Sequence, residues 1–383
     1  MLNSKVAVFL FIFGYQCYAP ILAILGVESS AFSAACRVLI LIYGVCAIFK
    51  SRDMKISIEE GLLVLFIAAV SYKLFKESFL LGAIDPRFFQ VHLLTVLLPC
   101  IIMSILPNPV GSILDGKLLS FGWLALLLNV LVAIFEVLSD PLRILSGRLE
   151  HANLNANSLG LFACCIALAA LHQKRRLLFA TAAPWLLGAN SRQSLVAFGV
   201  GLLSFARFRA FGSVRSSVYA FLIVGALGAL YLTFIMNTAF DVVLRMASVT
   251  SASELSVTSR IEGIKAALDQ FSGSPLIGST LNNGMGGFPH NIILETLTGF
   301  GALVSLLLIT LILVAIRRSH TNKINRSILL VYLVSSMFSG GLYAYNELFV
   351  LMMVAFKKKI FPTTGLYHHE PIGKNVSLPL YRE

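Results

Sequence analysis

The sequence predicts an all-α, polytopic integral membrane protein of about twelve transmembrane helices, with one long outer loop between spans nine and ten. Three observations predict it. The chain is 57% hydrophobic and 13% charged, with a mean hydropathy of +0.85, whereas a soluble domain carries about 25% charged residues. Apolar runs recur from end to end, and about 20 such residues suffice to cross a bilayer as a helix. The runs lack the alternation of a barrel strand, so helix is the form that satisfies their backbone groups in lipid.

Taken in order, the spans are 6–26, 31–49, 57–80, 88–106, 118–138, 154–171, 177–189, 193–206, 216–236, 291–316, 327–342 and 346–356. The first has no small-residue cleavage pattern and reads as a retained span. The seventh, eighth and twelfth are shorter than a crossing needs. They tilt, extend into polar flanks, or meet at a break around Gly188-Ala189-Asn190. Residues 1–360 form one membrane domain, and 361–383 a short polar tail that reads as disordered. The six cysteines, Cys17, Cys36, Cys46, Cys100, Cys164 and Cys165, lie in apolar runs without metal-ligand spacing, so each is expected to be a buried small hydrophobe.

Charge sets the orientation. Alternate connections hold 20 of the 30 Lys and Arg residues, among them Lys174-Arg175-Arg176 and Lys357-Lys358-Lys359. The opposite side holds seven: Arg87, Arg143, Arg148, Arg192, Arg245, Arg260 and Lys265. Basic residues accumulate in the cytoplasm, which places both termini there and the long loop outside. The net charge of +12 then reflects topology and calls for no nucleic-acid partner.

Residues 237–290 form the only long polar segment between apolar runs. Within it, Ser259 and Glu262 have capping-box spacing, so Ser259 is expected to be the N-cap of a helix with Arg260 in its first turn. Ile261, Ile264, Leu268 and Phe271 repeat at helical spacing as the apolar face, and Ser272-Gly273-Ser274-Pro275 stops the helix. A glycine-rich stretch from Gly278 to Gly287 resembles a lid or threading loop, and lacks the Lys-Ser/Thr pair of a phosphate-binding P-loop. His290 follows, where the tenth span begins. It is a histidine able to accept a hydroxyl proton, or else an interfacial anchor.

Arginine dominates the basic residues of the outer face, and a guanidinium grips phosphate oxygens with a planar fork. Arg192, between two short apolar segments, either serves function at membrane depth or snorkels to headgroups. The outer segment before span six adds Arg148, Glu150, His151, Asn153, Asn155 and Asn157. An anionic ligand is the natural partner, phosphate or diphosphate above all.

The ordered motifs are Arg148…Asn153-Leu154-Asn155-Ala156, Asn190-Ser191-Arg192, Arg260 and Ser274-Pro275-Leu276-Ile277-Gly278. His290-Asn291-Ile292-Ile293-Leu294-Glu295 and Gly299-Phe300-Gly301 complete the series. Across residues 148–307 this pattern resembles the O-antigen ligase and O-antigen (exopolysaccharide) polymerase superfamily of bacterial membrane proteins. The resemblance implies a glycan transferase of the bacterial inner membrane, acting at the periplasmic face without metal or cofactor. Its partners would be an undecaprenyl-diphosphate-linked saccharide donor, a glycan or lipid A–core acceptor, and membrane lipids. On the matching positions, Arg192 and Arg260 would hold the diphosphate and His290 would act on the acceptor hydroxyl. Arg148, Asn155 and Asn291 would bind substrate, with Glu262 in reserve as a base. The chain departs from the family at Gln193, where glycine is usual, and at Ile277, where phenylalanine is usual.

A different class remains open, a transporter or flippase for an anionic lipid-linked substrate. It would use Arg37, Lys73 and Lys76 within the spans, for which no carboxylate partner at matching depth is evident in the sequence.

Overall fold

The computed structural model describes residues 3–27, 30–49, 56–107, 111–139, 150–189, 191–205, 252–281, 289–338, 341–342 and 344–357. Among them every regular element is helical: α1 (Ser4–Ile24), α2 (Ser30–Phe49), α3 (Ile58–Phe75), α4 (Pro86–His92), α5 (Leu98–Ile105), α6 (Gly116–Ser139) and α7 (Ala156–His172). Then come α8 (Arg176–Ala182), α9 (Pro184–Gly188), α10 (Arg192–Phe205), α11 (Ala252–Gly273), α12 (Ile292–Arg318), α13 (Lys323–Ser336) and α14 (Asn346–Phe356). Among the described residues, five stretches are long and apolar enough to cross a membrane: Ser4–Ile24, Phe32–Phe49, Pro86–Ile105, Gly116–Ser139 and Ile292–Thr321. They coincide with expected spans one, two, four, five and ten. The chain is a helical membrane protein by this fold.

Other expected spans take different forms. The third becomes α3 plus a π-helical turn, Lys76–Leu80. The fourth is α4, a π-turn at Leu93–Leu97, and α5. Pro99 at the start of α5 has no N–H and crowds the carbonyl four residues back, which the wider π-turn relieves. The seventh, short as expected, is divided. It is two helices, α8 and α9, interrupted at Ala183-Pro184, and at about 1.5 Å per residue neither crosses a bilayer. The eleventh begins earlier, at Lys323, and stops at Ser336 before an irregular turn. The ninth span and the tail lie outside the described residues.

The core is built around α7, buried without interruption from Leu159 to Ala170. A helix apolar on every side belongs inside a bundle, and its Gly160, Ala163, Ala167 and Ala170 let neighbours come close. A Cβ on Gly160 would stand 2.5 Å from Ser194 Oγ of α10. Around α7 pack α6, α8, α10 and α13, while α1 joins α2, α6 and α14, and α12 joins α11 and α14. At the end where α12 finishes, Arg318 pairs with Glu59, and Lys357 Nζ sits 3.0 Å from the buried Glu60 carboxylate.

The cysteine expectation holds for Cys100, Cys164 and Cys165, which are buried; Cys17 and Cys36 are half-buried and Cys46 is exposed. The reason is that α2 lies at the periphery, with Leu39 and Ile42 also facing outward.

Candidate functional site

Three helices begin at the end of the bundle opposite the Arg318–Glu59 pair. Asn155 caps α7, its side chain accepting from Ser158 N–H at 2.9 Å. Asn291 caps α12, accepting from Ile293 and Leu294 N–H at 3.0 and 3.1 Å. At α10, Ser191 accepts from Ser194 N–H at 3.3 Å and donates to Asn157 Oδ1 at 2.8 Å, and Arg192 is the first helical residue. Short polar side chains at these positions satisfy amides that a helix start leaves open.

Side-chain ties draw these starts together. Ser191 joins α10 to Asn157 of α7. Gln193 Nε2 donates to Ser335 Oγ at 2.6 Å, near the end of α13, and Asn291 Nδ2 donates to Met337 O at 3.1 Å, just past it. The starts of α7, α10 and α12 thus cluster around the end of α13. Their aligned peptide dipoles place positive potential there, which favours an anion.

His290 precedes the α12 cap, exposed, with φ at +55°. A side-chain-bearing residue in the left-handed region is strained, and such strain gathers at functional sites. The local cause is Glu295. This fully buried carboxylate accepts from Leu342 N–H and from the backbone amides of His290 and Asn291, folding the chain back over the helix start.

The segment after α11 is anchored on α12. Ser279 N–H donates to Thr298 O at 2.6 Å and Ala302 N–H to Pro275 O at 2.8 Å. Gly278 (φ +73°) packs against the backbone of Gly299 and Phe300, and Gly301 (φ +76°) against the backbone of Leu276 and Ile277. Gln270 holds Ser279 and Thr280, and both carboxylate oxygens of buried Glu77 accept from Leu281 N–H at 3.1 Å. The lid expectation is therefore corrected for Gly278–Leu281, which are docked; residues 282–288 lie outside the described residues.

Helix α11 also differs from expectation. It starts at Ala252, so Ser259 is not its cap and Arg260 stands in mid-helix rather than in the first turn. The dipole argument for Arg260 falls with that. The buried side of α11 carries Gly263 and Ala267, small residues that allow close approach to α12, while Leu268 is exposed. Glu262 is exposed. Asn155, Arg192, His290 and Asn291 belong to elements joined at one end of the bundle. Arg260 and Glu262 reach the site only through the packing of α11 on α12, and Arg148 lies outside the described residues.

His151 serves as a clasp. It is buried, its Nε2 is 2.9 Å from Asn129 Oδ1, and its Nδ1 accepts from Asn153 N–H at 3.3 Å. Asn129 spends both amide protons on the carbonyls of Gln16 and Ala125, each at 2.7 Å, so its oxygen accepts and His151 carries the proton on Nε2. Burial pushes the imidazole pKa down, opposed in part by the Glu136 carboxylate.

The intramembrane cations do have carboxylates nearby, contrary to the sequence expectation. Arg37 faces Glu347, and Lys73 lies within charge range of Glu77. Lys73 also donates to Gly299 O and sits 5.0 Å from the Phe300 ring centre, so it braces the kink of α12. Glu347 lies on a helix distant in sequence from Arg37, so spacing could not reveal it, whereas Glu77 stands four residues after Lys73 and was legible from helical spacing.

No family model matches this chain, and neither a curated protein nor a solved structure matches it significantly. Sequence reasoning passed over Ser194 and Ser335, and it quoted Ser191, Gln193 and Glu295 in motifs without giving them a role. A signal was present: each is a polar residue close to the start or finish of an apolar run, the place where a helical membrane protein concentrates polar ties.

Proposed function

We propose that this chain is a membrane glycosyltransferase of the O-antigen ligase type. It transfers a saccharide chain from undecaprenyl diphosphate to a hydroxyl of lipid A–core on the periplasmic face of the inner membrane. The observation that carries the reading is the gathering of three helix starts, with Arg192 first in α10 and His290 strained beside the cap of α12. The reading includes a twelve-span topology, cytoplasmic termini and an outer loop at 237–290.

In the reaction, the acceptor oxygen bonds to the anomeric carbon as the bond from that carbon to the diphosphate oxygen breaks. Negative charge grows on the leaving diphosphate, where fixed guanidinium groups and helix starts stabilise it in a poorly solvated site. Arg192, the first residue of α10, and Arg260 are the two residues assigned to this charge. Asn291 and Asn155 belong to the substrate-binding end, and Arg148 is assigned to substrate from the sequence resemblance alone. The acceptor proton passes to His290, with Glu262 the reserve base.

The test is the glycan profile of a deletion strain complemented with wild type, Arg192→Ala or His290→Ala. Long chains stranded on the carrier and absent from lipid A–core are expected from the deletion and from both variants. Single repeat units on the carrier or core would assign the chain to the repeat-unit polymerases of the same superfamily. An unchanged profile would remove the transferase reading and leave the transporter or flippase, which the Arg37–Glu347 and Lys73–Glu77 pairs favour.

A further inference from the structure

Apart from the helix starts, the chain contains a cavity of about 190 Å³ between α1, α2, the Leu93–Leu97 π-turn and the start of α14. Its polar lining is Tyr15, Tyr18, Arg37, Thr95, Asn346 and Glu347. Tyr15 and Tyr18 pack edge to face, with ring centres 5.4 Å apart, and the Arg37 guanidinium stands 5.8 Å from the Tyr15 ring centre. Asn346 is fixed by donation from Nδ2 to Phe11 O at 3.2 Å, and Glu347 takes a hydrogen bond from Gln16. A guanidinium and a carboxyl group therefore border the space. A bare anion would meet Glu347 and a bare cation would meet Arg37.

We propose that this cavity binds one neutral saccharide ring and is a glycan subsite of the transfer reaction, an inference that rests on the transferase reading above. A sugar ring carries hydroxyls that donate and accept together, and it has an apolar C–H face. Arg37, Glu347 and Asn346 offer planar paired donors and acceptors, and the tyrosines offer apolar faces with polar tips. At about 190 Å³ the cavity is smaller than the usual ligand pocket of about 300–1,000 Å³, which suits a single ring.

Position supports the assignment. The wall holding Asn346 and Glu347 continues from the turn whose Leu342 amide binds Glu295. Four residues span at most about 14 Å, so Asn346 lies within that reach of the carboxylate under the α12 start. On the other wall, the Tyr15 hydroxyl donates to Asn153 O, two residues before the α7 cap. The cavity and the three helix starts are thus tied through both walls.

The experiment is saturation-transfer NMR on the full chain in nanodiscs. The probes are the methyl glycosides of glucose, galactose and N-acetylglucosamine, with inorganic phosphate as competitor. At least one glycoside is expected to receive saturation in wild type. The signal should fall fivefold or more in Asn346→Leu and Arg37→Gln, survive in Arg192→Ala, and resist phosphate. Thr95→Val removes a hydroxyl with little change of shape and is expected to weaken the signal at least twofold, so the test stands if the other variants fail to fold. Absence of transfer to every glycoside, full transfer in the folded variants, or displacement by phosphate would overturn the proposal; the last would assign the cavity to a phosphate headgroup. Binding is read without donor or acceptor, so loss of the transferase reading in cells and loss of this subsite are separate results.

Discussion

Gly301→Ala tests whether the docking of the 274–281 segment on the α12 kink holds this end of the molecule together. Gly301 has φ +76° and ψ −176°, a region essentially restricted to glycine; occupying it with a side chain costs about 1–3 kcal/mol. An added Cβ would also stand 2.2 Å from Leu276 O and 2.6 Å from Ile277 N, backbone atoms that cannot rotate aside. Overpacking of that kind adds about 1–3 kcal/mol, so a total near 4 kcal/mol is expected from the two terms together. The assay is thermal unfolding in detergent followed by fluorescence-detected size exclusion, with limited proteolysis of the 274–281 segment beside it. Two controls set the scale. At Gly299 the new Cβ would meet only the tip of the Leu281 side chain, at 2.6 Å, and a loss of about 1 kcal/mol is expected. At Gly61, inside α3, nothing stands within 4 Å, and alanine should stabilise by about 1 kcal/mol through helix propensity. If Gly301→Ala unfolds at the wild-type temperature and its segment stays resistant to protease, the docking argument is wrong.

Asn291→Ala removes both the α12 cap and the tie to Met337, and thermal unfolding should show a loss of about 1–2 kcal/mol. Asn291→Asp, which keeps the cap acceptor but loses the donor, should recover roughly half of that. The His151 pKa lies below its ordinary value of 6.5 in the folded state, so the unfolded chain binds the extra proton first. The clasp's contribution is therefore complete above pH 6.5 and lost as pH falls below it toward the folded value. Unfolding temperatures measured from about pH 7.5 to 5 should drop in wild type and less in His151→Gln. Lys357→Met strands the buried Glu60 charge and should cost about 3–5 kcal/mol, while Lys357→Met with Glu60→Gln should restore most of it; an equal loss in the double variant would refute a charge-pairing role.

Part of the end where α7, α10 and α12 begin was legible because capping chemistry is local. Asn155 and Asn291 stand before apolar runs, and both prove to be caps. The same rule misled at Ser259, where Ser-x-x-Glu spacing occurs inside α11 rather than at its start. Nothing in the pattern there excludes seven more helical residues upstream. The stripe on α11 misled for a related reason: hydrophobic spacing marks Leu268, yet close approach to α12 selects Gly263 and Ala267.

By itself the sequence determined the fold class, the approximate position of most helices and the candidate residues Arg192, His290 and Asn291. The physical reason is that lipid solvation constrains composition one segment at a time, and a helix satisfies its own backbone. Only the tertiary structure decided which helix starts share an end, that Glu295 takes the His290 amide, that Gly278 seats on Gly299 and Phe300, and that Arg37 and Glu347 border one cavity. Those facts depend on rotation and depth of one helix against another. Such choices are set by small residues and a few buried polar ties, which a single chain's periodicity does not encode.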